Sequence, residues 1–162
     1  MNSSPRPGQY RLCVGLCIFN GEGKVFVGER IDTPGGWQMP QGGIDEGEDV
    51  ERAAFREMKE EIGTDKAAIL RIHPDRLRYD IPDEVLARLP WGNIYGGQEQ
   101  IWIAMRFTGA DSDIALDADD HPEFARYQWV DLPEVVKFIV PFKITTYEQV
   151  VKIFADIPAQ IK

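Results

Sequence analysis

Residues 42–64 constrain this chain more than any other stretch. The run begins with Gly42-Gly43, passes through an acidic turn, and continues as a helical pattern that Gly63 ends. At about 100° per residue, three glutamates fall on one side of this helix; they are Glu57, Glu60 and Glu61. An adjacent apolar stripe can pack on a sheet; it contains Ala54, Phe55, Met58 and Ile62.

The clustered glutamates indicate a metal site. Like charges at three- and four-residue spacing each cost a few tenths of a kcal/mol, roughly. A hard divalent cation removes that repulsion, since Mg²⁺ and Mn²⁺ prefer carboxylate oxygens and also bind substrate phosphates. The alternative is a surface helix with a solvated acidic face. It does not explain the glycines or the apolar residues between the charges.

The spacing of the run resembles the Nudix box. That motif reads glycine, five residues, glutamate, seven residues, then Arg-Glu-apolar-any-Glu-Glu-any-Gly-apolar. The matching positions are Gly42, Glu48, Arg56, Glu57, Met58, Glu60, Glu61 and Gly63. Thr64 departs at the last place, which is a packing position in the family. The resemblance implies an α/β Nudix fold, with a mixed β-sheet between helices and a loop–helix–loop catalytic motif.

The resemblance also implies roles for the motif residues. Hydrolysis of a phosphoanhydride requires a placed water and neutralised charge, which divalent ions supply. Glu57, Glu60 and Glu61 resemble the metal ligands, and Glu57 or Glu61 the base for the attacking water. Glu48 and Arg56 resemble the pair that braces the loop against the helix. With Gly42 and Gly63 they are expected to be structural.

One acid outside the motif also matches the family. Glu123 stands in His121-Pro122-Glu123-Phe124. This segment resembles a Pro-Glu-Phe segment of bacterial RNA pyrophosphohydrolases and related dinucleoside polyphosphate hydrolases, where the glutamate approaches the metals. The alternative is a loop acid that precedes a strand. We expect Glu123 to be a fourth metal-site acid, and neither His73 nor His121 to be catalytic.

Flanking segments resemble the same subfamily. They are residues 37–44, 97–102 and 141–143. Guanidinium forks suit phosphate oxygens, so the resemblance makes Arg11 and Arg30 candidates for terminal phosphates. Tyr79 lies near the place where a tyrosine marks dinucleoside polyphosphate hydrolases. Phe142 and Lys143 are candidates for base stacking, with core packing as the alternative for Phe142.

Three residues depart from the subfamily pattern. Ile101 replaces a usual lysine, Glu99 adds an acid, and Arg76 replaces an aromatic residue. These departures and the net charge of −9 favour a small dinucleoside polyphosphate over an RNA 5′ end. The acidic balance excludes a broadly basic nucleic-acid surface, and we expect no DNA partner.

The rest of the sequence predicts one domain over residues 10–162, after a flexible lead at residues 1–9. No apolar run is long enough to span a bilayer and no signal-peptide core is present, so we expect a cytoplasmic protein. Cys13 and Cys17 are four apart in a strand-like run, too far for a disulfide, and are expected to be buried thiols.

Hydrophobic patterns predict the elements around the motif. Strands are expected over residues 10–19, 24–30, 67–73, 77–81, 98–107 and 124–130. Helices are expected over about 49–62, in a turn at 82–89, over 132–139 and at the end of 141–157.

The expected function is divalent-metal-dependent hydrolysis of nucleoside 5′-polyphosphate ends, with Mg²⁺ or Mn²⁺ as cofactor. Substrates would be dinucleoside polyphosphates, 5′-triphosphorylated RNA, or both. One alternative is a Nudix pyrophosphatase of ADP-ribose, a nucleotide sugar or an oxidised nucleotide. Another is a nucleotide sensor without catalysis.

Overall fold

The computed structural model describes residues 9–92 and 94–161. The predicted lead at residues 1–9 lies outside the described residues except for Gln9, so that boundary stays a prediction. No helix in the described ranges is long and apolar enough to cross a membrane.

Among residues 9–92 and 94–161, eight strands form one mixed sheet. In chain order they are β1 (Tyr10–Phe19), β2 (Val25–Arg30), β3 (Trp37–Gln38), β4 (Gln41–Gly43), β5 (Ala67–Ile72), β6 (Leu77–Asp80), β7 (Gly97–Phe107) and β8 (Phe124–Val130). The main order is β3-β2-β1-β7-β5, while β4 pairs with β1, β6 with β7 and β8 with β2. Only β1 and β7 run parallel, from Tyr10 opposite Gly97 to Phe19 opposite Arg106.

Helices cover both faces of the sheet. They are α1 (Val50–Ile62), α2 (Asp83–Leu86), α3 (Ile144–Ile153) and α4 (Ile157–Ile161), with 3₁₀ helices at Asp111–Asp113, Leu132–Lys137 and Pro141–Lys143. Alternate residues of β1 point to opposite faces. Cys17 and Phe19 join the core beneath α3, while Leu16 and Ile18 join the core beneath α1. The expected mixed sheet between helices is confirmed.

The ends of α1 are set by its own sequence. The Asp49 side chain accepts a hydrogen bond from the Arg52 backbone N–H at 2.8 Å, which caps the first turn. Gly63 ends the helix in a left-handed conformation at φ 83°, where its N–H donates to Lys59 O. Thr64 is buried, in agreement with a packing position.

The structure differs from the predicted elements in three places. β3 and β4 lie where no strand was predicted, because two- and three-residue strands carry no detectable periodicity. The segment over Leu132–Lys137 is a 3₁₀ helix with a proline in its first turn. The chain also forms α4 beyond the last predicted helix.

The two cysteines are free and fully buried, as predicted. Burial raises the pKa of the Cys13 thiol to about 11 and raises that of Cys17 further. Both thiols therefore stay protonated and pack as small apolar side chains.

Candidate active site

A cavity of about 910 Å³ lies beside α1 and opens to solvent. Its walls include residues of β1, β2, β4, α1, β6, the segment 81–91, β7, Glu123 just before β8, and the 3₁₀ helix Pro141–Lys143. All nine residues expected to bind metal or substrate line it: Arg11, Arg30, Glu57, Glu60, Glu61, Tyr79, Glu123, Phe142 and Lys143. One cavity thus collects residues from distant parts of the sequence.

Two motif glutamates are buried at one wall of the cavity. Glu57 is 7% exposed and Glu61 is 6% exposed. The Arg56 Nη1 group donates to Glu57 Oε1 at 2.9 Å, and the Gln41 backbone N–H donates to Glu61 Oε2 at 3.3 Å. Burial raises the pKa of Glu57 to about 7. Burial, together with the Glu57 charge, raises the pKa of Glu61 well above its usual range.

The other two candidate acids lie at the rim. The side chains of Glu60 and Glu123 are each 46% exposed. Glu60 accepts a hydrogen bond from Arg56 Nη1 at 3.3 Å, and Glu123 Oε2 lies 3.7 Å from Arg30 Nη2. Within residues 9–92 and 94–161, no three His, Cys, Asp or Glu side chains are already grouped to hold a metal ion. The four carboxylates border one cavity without converging.

The buried carboxylates fit a hard divalent cation in chemistry and in space. A Cβ built on Gly42 would lie closer than 3.0 Å to the Glu57 carboxylate, so the glycine leaves the room that this group occupies. Two buried carboxylates one turn apart repel each other, and a cation between them would lower both pKa values. Glu57 and Glu61 could hold the ion, and Glu60 and Glu123 line the same cavity.

Arg56 joins the motif loop to the motif helix. Its Nε and Nη2 groups donate to the two Glu48 oxygens at 2.8 and 2.9 Å, and Nη2 also donates to Gly43 O at 2.8 Å. These Arg56 hydrogen bonds lower the pKa of Glu48 to about 2. Neither Arg56 nor Glu48 lines the cavity, so the geometry is that of a brace.

Two arginines line the cavity together with the carboxylates. The Arg11 guanidinium lies 5.0 Å from the centroid of the Trp91 ring and fits against Gly43, where a Cβ would collide with it. Arg30 donates to both oxygens of Asp32, at 2.8 and 2.7 Å. A phosphate chain in the cavity would therefore meet both carboxylates and guanidinium groups.

Part of the cavity lining is aromatic. The Tyr79 and Phe142 rings lie 5.9 Å apart. Lys143 is buried there, and its Nζ donates to Gln38 Oε1 at 2.9 Å. Burial lowers the pKa of Lys143 to about 7. Phe142 packs against Tyr79 and also lines the cavity, so packing and ligand contact are compatible readings of this residue.

The departures from the subfamily pattern lie away from the cavity. Neither Glu99 nor Ile101 is among its lining residues. Glu99 instead accepts a hydrogen bond from Arg76 Nη1 at 2.7 Å and from Arg78 Nε. Two of the three departures thus form one ion pair with each other. The inference that these departures weaken an RNA assignment stays a prediction.

Sequence reasoning did not select several lining residues as site residues. They include Gln38, Gln41, Gln98, Val85, Arg88 and Trp91. The aromatic and glycine-rich composition of residues 91–97 was a usable indication for Trp91. The glutamines stand in segments 37–44 and 97–102, which resemble the subfamily, but the meeting of their side chains depends on the pairing of distant strands.

Known proteins are similar to this chain in sequence. The NUDIX domain family matches residues 9–150. A curated RNA pyrophosphohydrolase of Rhodospirillum rubrum is 55% identical over 142 residues, covering 88% of this chain and 85% of that protein. One of Novosphingobium aromaticivorans is 48% identical over 152 residues, covering 91% and 94%.

Solved structures give the same fold. The E. coli dihydroneopterin triphosphate pyrophosphohydrolase superposes with a TM-score of 0.68 at 22% identity, covering 89% of this chain and 98% of that one. A C. elegans Ap4A hydrolase binary complex superposes with a TM-score of 0.62 at 21% identity, covering 90% and 98%.

Proposed function

Since this chain belongs to the Nudix hydrolases, which act on phosphoanhydride bonds, we propose that it is a divalent-metal-dependent pyrophosphohydrolase of nucleoside 5′-polyphosphate ends. One observation carries the proposal. The same cavity is lined by buried carboxylates, by two arginines and by the Tyr79–Phe142 aromatic pair. This set of groups suits a metal-bound phosphate chain attached to a nucleoside.

Glu57 and Glu61 would hold the metal from the buried wall, and Glu60 and Glu123 would reach it from the rim. A bound Mg²⁺ or Mn²⁺ neutralises phosphoryl charge and lowers the pKa of bound water. Arg11 and Arg30 would fix the phosphate oxygens through their guanidinium forks.

Glu57 or Glu61 would take the proton of the attacking water. Each of the two has one carboxylate oxygen in a hydrogen bond: Glu57 Oε1 accepts from Arg56 Nη1, and Glu61 Oε2 accepts from the Gln41 backbone N–H. The other oxygen of either residue could take the proton.

For the substrate, we propose 5′-triphosphorylated RNA first, with dinucleoside polyphosphates as further substrates. Both present a nucleoside followed by several phosphates. The RNA pyrophosphohydrolases cover this chain nearly end to end, and Glu99 and Ile101 do not border the cavity. The Tyr79–Phe142 pair would receive the base. A cytoplasmic location, inferred from the sequence, would place the enzyme with such substrates.

The proposal is tested by product analysis of triphosphorylated RNA, with and without Mg²⁺ or Mn²⁺. We expect metal-dependent pyrophosphate release, with Glu61→Gln and Glu60→Gln each reducing kcat. Glu51→Gln is the matched control, because Glu51 is an exposed acid of the same helix outside the cavity. Full activity of both cavity variants would refute the mechanism. Binding without turnover would favour a nucleotide sensor.

A further inference from the structure

A chain of hydrogen bonds runs from the core to the cavity wall. Trp102 Nε1 donates to Gln100 Oε1 at 3.0 Å. Gln100 Nε2 donates to Gln41 Oε1 at 2.8 Å and to Gln98 Oε1 at 3.1 Å. The Tyr79 hydroxyl donates to Gln98 Oε1 at 2.6 Å. Trp102 and Gln100 are fully buried, while Gln41, Gln98 and Tyr79 line the cavity.

The direction of this chain is fixed by its innermost member. An indole N–H donates and cannot accept. The Gln100 atom facing Trp102 must therefore be the amide oxygen, which turns the Gln100 NH₂ group outward. That NH₂ group in turn requires oxygens from Gln41 and Gln98. One donor-only group thus orients three amides.

Because the amides are oriented in this way, Gln41 and Gln98 present hydrogen-bond donors to the cavity. Gln98 Oε1 is occupied by its contacts, and Gln98 Nε2 donates to no residue in the described part of the chain. Gln41 Nε2 has a single contact, at 3.5 Å, with Gln98 Oε1. Both NH₂ groups are therefore left for a ligand that presents hydrogen-bond acceptors.

We propose that the Gln41 and Gln98 amides bind phosphoryl oxygens of the substrate, and that Trp102 and Gln100 are positioning residues that aim them. The inference rests on the proposed function for the identity of the substrate. Phosphoryl oxygens fit better than a base edge for two reasons. The Gln41 backbone N–H contacts Glu61 of the carboxylate wall, and Arg11 and Arg30 line the same cavity.

The first test uses inorganic tripolyphosphate, which has no base, and the side-chain amide resonances of the wild-type protein. We expect tripolyphosphate to shift the NH₂ signals of Gln98 and Gln41 in ¹⁵N-edited NMR spectra. Unshifted NH₂ signals under saturating tripolyphosphate would overturn the proposal. This readout needs neither a variant nor turnover. If the NH₂ signals shift but the protein hydrolyses no nucleotide, the proposed function is refuted, while the binding of phosphoryl oxygens by the Gln41 and Gln98 amides is still supported.

The second test measures Kd for β,γ-methylene analogues of ATP and GTP. We expect Gln98→Leu to weaken both about tenfold, as for a lost hydrogen bond to a charged oxygen. We expect Trp102→Phe to weaken both about threefold, because Gln100 is then free to turn. In activity assays both substitutions should raise KM more than they lower kcat.

A double-mutant cycle separates aiming from general packing. In the Gln98→Leu background, Trp102→Phe can affect binding only through the Gln41 amide. The loss of affinity in the double variant should therefore be smaller than the sum of the losses in the two single variants. Trp129→Phe is the matched control; it removes an indole N–H that donates to Asp111 at 3.3 Å, outside the cavity. Fully additive losses, an equal loss in the control, or a loss confined to one base would each overturn the proposal.

Discussion

The sharpest structural prediction concerns Gly42→Ala. Gly42 lies in β4 opposite Val14 and is not among the glycines with positive φ, so alanine is compatible with its backbone. The obstacle is the Glu57 side chain. A Cβ at this position would lie closer than 3.0 Å to three atoms of its carboxyl group, a separation that real Cβ atoms essentially never show.

The size of the effect follows from the displacement. The Glu57 carboxylate must withdraw by roughly 1 Å, and a misplacement of that size costs about 10²-fold in rate. That factor corresponds to roughly 2.7 kcal/mol in the activation free energy. The loss should fall on kcat, because Arg11 and Arg30 still bind the phosphates. The cavity gives the carboxylate room to move, so the melting temperature should change little.

The assay is steady-state hydrolysis of a nucleoside polyphosphate, paired with thermal unfolding. Gly47→Ala is the control with the opposite expectation. Gly47 has φ 79°, and a Cβ there would meet no atom within 4 Å. Alanine at this position costs about 1–2 kcal/mol of backbone strain and leaves the carboxylates in place. A Gly42→Ala enzyme with kcat within about twofold of wild type would refute the reasoning.

Three further predictions follow from the other contacts. Arg56 lowers the pKa of Glu48 to about 2, so the Arg56–Glu48 pair stabilises the fold above the unfolded pKa of about 4.3. This stabilisation is lost as pH falls from about 4.3 through about 2, and the melting temperatures of Glu48→Gln and wild type should converge over that pH range. Burial lowers the pKa of Lys143 to about 7, so between about pH 7 and about pH 10 the folded state binds fewer protons than the unfolded state. In that pH range the wild-type free energy of unfolding should therefore rise relative to that of Lys143→Met. Urea titrations in which this difference falls with pH would contradict the assignment. Tyr147→Phe leaves the Met39 N–H without its 2.9 Å acceptor and should cost about 1–3 kcal/mol in urea unfolding, with kcat unchanged.

The motif helix was predictable because its determinants are local. Asp49 caps the first turn and Gly63 adopts the left-handed conformation that ends the last. The apolar stripe packs on the sheet as its spacing requires, with Met58 and Ile62 fully buried. The candidate site was predictable through family spacing, and every expected metal or substrate residue borders one cavity.

Other parts depend on contacts between distant strands. Gln41 of β4 meets Gln98 and Gln100 of β7 across 57 and 59 positions of sequence. The ion pair between Arg76 and Glu99 likewise joins residues 23 positions apart. Pairings of this kind are set by sheet register, which composition and periodicity do not specify.

The difference between the four candidate acids also comes from tertiary structure. Helical spacing places Glu57, Glu60 and Glu61 on one side of α1. It does not reveal that the sheet buries two of them while Glu60 remains half-exposed at the rim.

The central claim is tested most directly by parallel turnover of three substrates at equal concentration, with and without Mg²⁺. They are 5′-triphosphorylated RNA, diadenosine tetraphosphate and ADP-ribose. We expect metal-dependent hydrolysis of RNA with release of pyrophosphate, slower or comparable hydrolysis of diadenosine tetraphosphate, and the lowest rate with ADP-ribose. Faster hydrolysis of ADP-ribose than of both other substrates, or turnover that does not need a divalent metal, would contradict the account.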